Sequence, residues 1–185
     1  MDATSDECLA AVGEMQATDI LVNNLGINKV EPLVDVSEET LDAMLGINIR
    51  ALVRMTQVVV SNMLEKNIAG SIINMSSQMG HIGSPRRTMY CMTKHAVEGF
   101  TKALAVELAD TGIRVNSVAP TFIETPLTKP MLADEKFYDF VMQMIPMKKI
   151  GHVHDVANAV VYLAGETSAL VTGSSLKVDG GWTAQ

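Results

Sequence analysis

Four short apolar runs, separated by much longer amphipathic stretches, constrain this chain more than any other feature. They cover residues 19–23, 70–76, 113–118 and 174–178. The first runs into Asn23-Asn24-Leu25-Gly26, the third is stopped by Pro120, and the fourth is followed by Asp179-Gly180-Gly181. After the first run, Ser37 reads as an N-cap with Glu38 and Glu39 in the first turn. The helix it opens reaches about Lys66 and is bent near Gly46. After the second run, residues 88–109 place Met89, Met92, Val97, Phe100, Leu104 and Leu108 at helical spacing, and Thr111-Gly112 ends that helix. Residues 121–150 carry Pro126, Pro130 and Pro146 around one or two short helices, and a further helix runs from His154 to Ala164. Strands alternating with helices are βαβ units, which build a parallel sheet. Right-handed crossovers place helices on both faces. The expected fold class is α/β, doubly wound, in three layers, and ligands of such sheets bind beyond the carboxyl ends of the strands.

Composition removes several function classes. The 185 residues, 48% of them apolar, suit one domain with a substantial core. Lys plus Arg number 14 and Asp plus Glu 21, a net charge of −7, and the cations do not cluster. Nucleic acid is therefore not an expected partner. No apolar run nears the roughly 18 residues of a membrane span. The acidic, polar opening Asp2-Ala3-Thr4-Ser5-Asp6-Glu7 does not resemble a signal or transit peptide. Cys8 and Cys91 make neither a disulfide framework nor a metal spacing. A reduced, cytoplasmic setting is the expectation.

Chemistry concentrates at Tyr90-Cys91-Met92-Thr93-Lys94. Tyr90 and Lys94 stand at i and i+4 and share one helix face. A phenol titrates near 10, and a neighbouring cation favours its ionised form. That suits a general acid/base acting on an alcohol or a carbonyl. A Tyr and a Lys four apart also occur by chance as a surface pair, so context decides. Ser77 follows the second strand, Asn23 to Gly26 follow the first, Asn48 lies in the helix between, and Pro120 to Thr125 follow the third. These polar groups converge on one sheet edge.

In these motifs, with Asn116-Ser117-Val118-Ala119-Pro120 and Val178-Asp179-Gly180-Gly181, the chain resembles the short-chain dehydrogenases/reductases over residues 19–182. The resemblance implies a single Rossmann-like domain and an NAD(P)-dependent oxidoreductase. It would interconvert a secondary alcohol and a ketone by hydride transfer, with NAD or NADP as cofactor. Sugar or polyol dehydrogenases and 3-oxoacyl carrier reductases are the types that compete. The catalytic set would be Ser77, Tyr90, Lys94 and Asn48. Tyr90 would be the acid/base, and Lys94 would lower its pKa and bind the nicotinamide ribose. Ser77 would hold the carbonyl oxygen, and Asn48 would hold a helix kink and a relay water, or else satisfy buried backbone. Asn23, Gly26, Tyr90, Lys94, Pro120, Ile123 and Thr125 would bind the cofactor, with Thr125 an alternative N-cap before Pro126. The implied partners are a small alcohol or ketone and further copies of the chain, as a homodimer or homotetramer associating through the two long helices and the last strand.

Three letters depart from the family's usual ones. Leu25 stands for Ala, Met92-Thr93 replace a small pair, and Thr121 replaces a Gly that tolerates positive φ. His152 and His154 read as a solvated loop. Arg86 and Arg87 read the same way, with an anionic substrate or carrier as the second option. Met142, Met144 and Met147 read as core filling or as an apolar pocket. Lys129, Lys136, Lys148 and Lys149 would suit an acidic carrier if they clustered.

The family's glycine-rich phosphate turn is not found in the sequence. The first run matches the family's fourth strand, so the sheet is expected to lack its first three strands. Two readings follow. One is a piece of a longer enzyme. The other is a short chain that keeps the catalytic residues, binds dinucleotide poorly and serves only as an oligomerising, non-catalytic subunit. In either case residues 19–23 form an edge strand with apolar faces, a pairing hazard. The acid or base that selects NAD over NADP belongs to a missing strand.

Overall fold

The computed structural model describes residues 4–15, 17–126 and 128–185. In chain order the elements are α1 (Asp6–Gly13), β1 (Ile20–Asn23), α2 (Glu38–Leu45), a π-helical segment (Gly46–Ala51), α3 (Leu52–Glu65), β2 (Ser71–Met75), α4 (Thr88–Glu107), β3 (Arg114–Pro120), α5 (Lys129–Leu132), α6 (Glu135–Met144), α7 (Val153–Ala164) and β4 (Ser175–Val178). The four strands are parallel and lie in the order β1-β2-β3-β4. Pro120 does not stop β3 but ends it, paired with Val178, at a position where a missing N–H costs little.

Alternation along the strands separates two cores. Ile72 and Val115 pack with Val59 and Met63 of α3 and Ala105 of α4. Ile73 and Val118 pack with Ala159 and Leu163 of α7 on the other face. A third cluster, centred on Phe122, Val141, Ile145 and Trp182, closes the carboxyl end of the sheet under α6. The three layers are those expected, but one crossover is not. All three connections advance the same way across the sheet, and only the β3–β4 connection passes through α7 on the opposite face. Its hand is therefore opposite to that of the other two. This connection runs through α5 and α6 first, so it is not the tight unit whose twist dictates handedness.

Ser37 caps α2 as expected, its Oγ accepting from Thr40 N at 3.1 Å. The bend at Gly46 is a π-helical turn that leads directly into α3. The continuous helix Glu38–Glu65 is long and apolar enough by composition to cross a membrane. Here its apolar side, with Met44, Leu52, Met55, Val59 and Met63, is buried in the protein. The turn after β4 requires glycine. Gly180 and Gly181 have φ of +59° and +89°, and a Cβ on Gly180 would lie 2.6 Å from Ile145 Cγ2. Asp179 fixes that turn by accepting from Gly181 N, Thr183 N and Thr183 Oγ1.

β1 is an edge, as expected, but only one of its faces is bare. Leu21 packs against the α3–α4 core and Asn23 is buried. Ile20 and Val22, on the α7 side, are 49% and 39% exposed.

Candidate active site

A cavity of about 230 Å³ opens where β1, β2 and β3 end, lined by Gly26, Asn28, Ser77, Tyr90, Lys94 and Thr121. A second, of about 150 Å³, shares Asn28, Ser77, Tyr90 and Thr121 and continues to Met131. The structure thus brings Ser77, Tyr90 and Lys94 to one place. Ser77 extends from the end of β2, and its Oγ accepts from Met79 N at 3.1 Å. Tyr90 lies in the first turn of α4 and Lys94 one turn further on. Lys94 Nζ donates to Met75 O at 2.7 Å, which ties α4 to the strand that carries Ser77. The same Nζ sits 5.7 Å from the centroid of the Tyr90 ring.

Burial pushes the Tyr90 phenol above its ordinary 10, while a hydrogen bond with Ser77 and the Arg87 guanidinium pull it down. Arg87 thus acts on the phenol besides the neighbouring Lys94. Lys94 is itself lowered to about 8 by burial, with Glu98 opposing. Glu98, one further turn along α4, is 4% exposed. Its carboxylate accepts from Ser117 Oγ at 2.9 Å and Ser175 Oγ at 3.1 Å, and His81 Nε2 lies 3.3 Å away. Sequence reading passed over Glu98, because nothing local marks a buried acid on an amphipathic helix, and it read His81 only as no part of a metal site.

Asn48 sits in the π-helical turn, 1% exposed. Its Oδ1 accepts from Ile27 N at 2.8 Å, and its Nδ2 donates to Ile27 O at 2.9 Å and Thr93 Oγ1 at 3.1 Å. Both amide hydrogens are engaged, so the backbone-satisfying role is the one the geometry displays. Thr93 in turn donates to Tyr90 O at 2.9 Å. Gly26 lies beside this group. A Cβ there would stand 3.6 Å from both Asn48 Oδ1 and Lys94 Nζ.

The expected cofactor residues divide. Asn23 does not reach the cavity. Strand alternation turns it towards α3, where Nδ2 donates to Thr56 Oγ1 and Asn74 Oδ1. Asn24 lines the cavity in its place. Pro120 lines both this cavity and an adjoining apolar groove of about 480 Å³, which holds Ile123 and Thr125. Thr125 Oγ1 accepts from Thr128 N at 3.3 Å and meets Thr128 Oγ1 at 3.0 Å, an i to i+3 contact of the N-cap kind, although α5 itself begins at Lys129. Thr121 does not adopt the positive φ feared for it. Met92 is surface-exposed rather than near the site.

Arg87 is not in a solvated loop: it is 7% exposed and stacks over Phe137. His152 caps α7 together with Asp155. Of the methionines, Met131 lines the cavity, Met144 packs in the core and Met147 is exposed. Two of the four lysines are engaged elsewhere, Lys129 with Glu124 and Lys148 with the carbonyls of Met142 and Gln143.

The residues present suit the nicotinamide half of a dinucleotide. Asn28 Oδ1 and Thr121 Oγ1 are buried without a protein partner beside the cavity. Groups of that kind call for a hydrogen-bonding ligand.

A family model described as enoyl-(acyl carrier protein) reductase matches residues 2–183. Carbonyl reductase [NADPH] 2 of Sus scrofa is 35% identical over 174 residues, 94% of this chain and 71% of that protein. The 3-oxoacyl-[acyl-carrier-protein] reductase FabG of Thermotoga maritima is 42% identical over 163 residues, 88% of this chain and 65% of that one. The solved gluconate 5-dehydrogenase of Burkholderia cenocepacia J2315, in complex with NADP and tartrate, is 32% identical with a TM-score of 0.95. The match covers all of this chain and 74% of the other. With these relatives and the arrangement of Ser77, Tyr90 and Lys94, the chain belongs to the short-chain dehydrogenase/reductase family.

Proposed function

We propose that the protein is an NAD(P)-dependent oxidoreductase that interconverts a secondary alcohol and a ketone. The observation that carries this reading is the single cavity shared by Ser77, Tyr90 and Lys94. A bound nicotinamide dinucleotide supplies the hydride in reduction and accepts it in oxidation. Lys94, Tyr90, Gly26 and Asn24 would hold its nicotinamide-ribose half, with Pro120, Ile123 and Thr125 along the adjoining groove.

In reduction, Tyr90 Oη gives its proton to the carbonyl oxygen and Ser77 Oγ donates to that same oxygen as charge builds on it. The Lys94 charge, 5.7 Å from the ring centroid, stabilises the phenolate left behind. Asn48 acts as a positioning residue that holds the Ile27 backbone against the cavity. The dehydrogenases and reductases among the relatives favour turnover over a purely structural role.

The test is NAD(P)H oxidation with a panel of ketones. Tyr90→Phe should lower turnover by about two to four orders of magnitude; unchanged turnover in that variant would overturn the assignment. The substrate type lies between a sugar or polyol and a 3-oxoacyl group. Self-association through α3 and α4, where Val53, Leu64, Met92 and Val106 are exposed, belongs to the same reading. Light scattering checks it.

A further inference from the structure

Arg87 is the residue that the proposed reaction leaves least explained. It is more than nine-tenths buried, yet its Nε has no hydrogen-bond partner. Among the described residues no carboxylate pairs with it; its guanidinium lies over the Phe137 ring, whose centroid is 5.7 Å from Cζ. Burial lowers its pKa, and the neighbouring groups that act on its charge are Cys91, Tyr90 and Arg86, none of them a carboxylate. A buried, uncompensated guanidinium is costly, and proteins retain such groups where an anion is to be met.

Arg87 is also in the right place to meet one. It lines a cavity of about 490 Å³ with Val30, Met131, Phe137 and Phe140. Val30 and Met131 also line the cavity that contains Ser77 and Tyr90. The two spaces therefore adjoin across those two side chains. Arg87 stands immediately before α4 and three residues before Tyr90. The first turn of that helix adds amide N–H groups and a positive dipole end. Asp134 lines the same cavity, but its Oδ1 is engaged in capping α6 through Phe137 N at 2.8 Å.

We infer that Arg87 binds a substrate carboxylate, and that the substrate is an oxo or hydroxy acid whose apolar carbon chain spans the space between Arg87 and the Ser77–Tyr90 pair. The apolar walls of Val30, Met131, Phe137 and Phe140 suit a methylene chain better than a row of hydroxyls. The inference rests on the reading of the Ser77–Tyr90 cavity as the carbonyl site. Its test uses binding alone, so it does not depend on turnover.

The probes are 4-oxopentanoate, 5-oxohexanoate and 6-oxoheptanoate, each against its own methyl ester, titrated by ligand-observed NMR into the protein and into Tyr90→Phe. At least one acid should bind about ten-fold more tightly than its ester, as a charge-assisted hydrogen bond requires. In Arg87→Met the acid and ester should converge to within about two-fold, with ester affinity unchanged. Arg87→Lys keeps the buried charge without the planar fork and should retain part of the preference. It also decides the matter if the Met variant does not fold, since a preference left whole in the Lys variant would overturn a contact made through the Arg87 fork. Equal binding of acid and ester, no binding of any acid, or a preference surviving in Arg87→Met would overturn the inference. So would loss of ester binding in an Arg87→Met variant with an unchanged circular dichroism spectrum. Ketone reduction that persists alongside any of these results leaves the oxidoreductase reading standing.

Discussion

Asn48 Nδ2 donates to Thr93 Oγ1 at 3.1 Å, and through that hydroxyl the π-helical turn is tied to the helix that carries Tyr90. Asn48→Leu removes this tie and leaves Ile27 N and O without their partner inside the protein. Each abandoned group costs about 1–3 kcal/mol, so the variant should lose roughly 2–6 kcal/mol in urea unfolding. Thr93→Val should cost less, and the double variant should fall short of the sum, since both changes remove one shared bond. Strict additivity would mean that the two side chains act independently.

Lys94 carries its charge at a cost to stability. Its pKa of about 8 lies below the ordinary 10.5. Between those values the unfolded chain holds the proton and the folded one does not, so stability rises with pH across that window. Below about pH 8 the penalty is on the order of 3 kcal/mol. Lys94→Met should therefore be more stable than the parent at pH 7, with the advantage fading towards pH 10.5. Parallel unfolding curves at pH 7 and pH 10 measure it.

His81 and Glu98 make a second pH-dependent pair. Burial lowers the imidazole below 6.5, and Glu98 opposes that shift. Between the lowered value and 6.5 the unfolded chain holds the proton and the folded one does not, so this part of the stability is lost as pH falls below 6.5. Lys177, Lys102 and His95 add to the lowering. Proton NMR should place the His81 midpoint below 6.5, and Glu98→Gln should move it lower still. An upward shift in that variant would show that Glu98 does not stabilise the imidazolium.

Edge strand β1 presents Ile20 and Val22 on the side that α7 leaves uncovered. A lysine on such an edge discourages pairing with another chain. Ile20→Lys should reduce the light scattering that grows with concentration beyond the α3–α4 assembly, while leaving the unfolding midpoint nearly unchanged, because Ile20 is already half exposed. Unaltered scattering would show that this edge does not pair with another chain.

The strands, the capped helix at Ser37 and the meeting of Ser77, Tyr90 and Lys94 were all legible in the sequence, because period, caps and strand ends are local signals. Arg87 was not. A dipeptide of two arginines beside a proline reads as solvated loop, and only the fold reveals that Phe137, some fifty residues later in the chain, covers the second of them. Asn23 and Asn24 were distinguishable only by which face each takes, which β1 settles through its pairing with β2. The electrostatics around Tyr90 were legible only in part, for a related reason. Spacing puts Lys94 near the phenol, but its distance over the ring and the approach of Arg87 depend on packing.

The turn at Gly46–Ala51 has a consequence for the length of the chain itself. A π-helical turn accommodates one residue more than an α-helix would over the same path, and the surplus shifts every side chain after it by about 100° around the helix axis. Deleting a single residue there would allow an unbroken α-helix, straighter and locally more regular, at the expense of the site. Either Asn48 would rotate away from Ile27, or the Val59–Met63 stripe of α3 would turn off the sheet. The irregular turn keeps the polar contact and the apolar stripe in phase at once, so this segment should tolerate substitutions far better than a change in residue number.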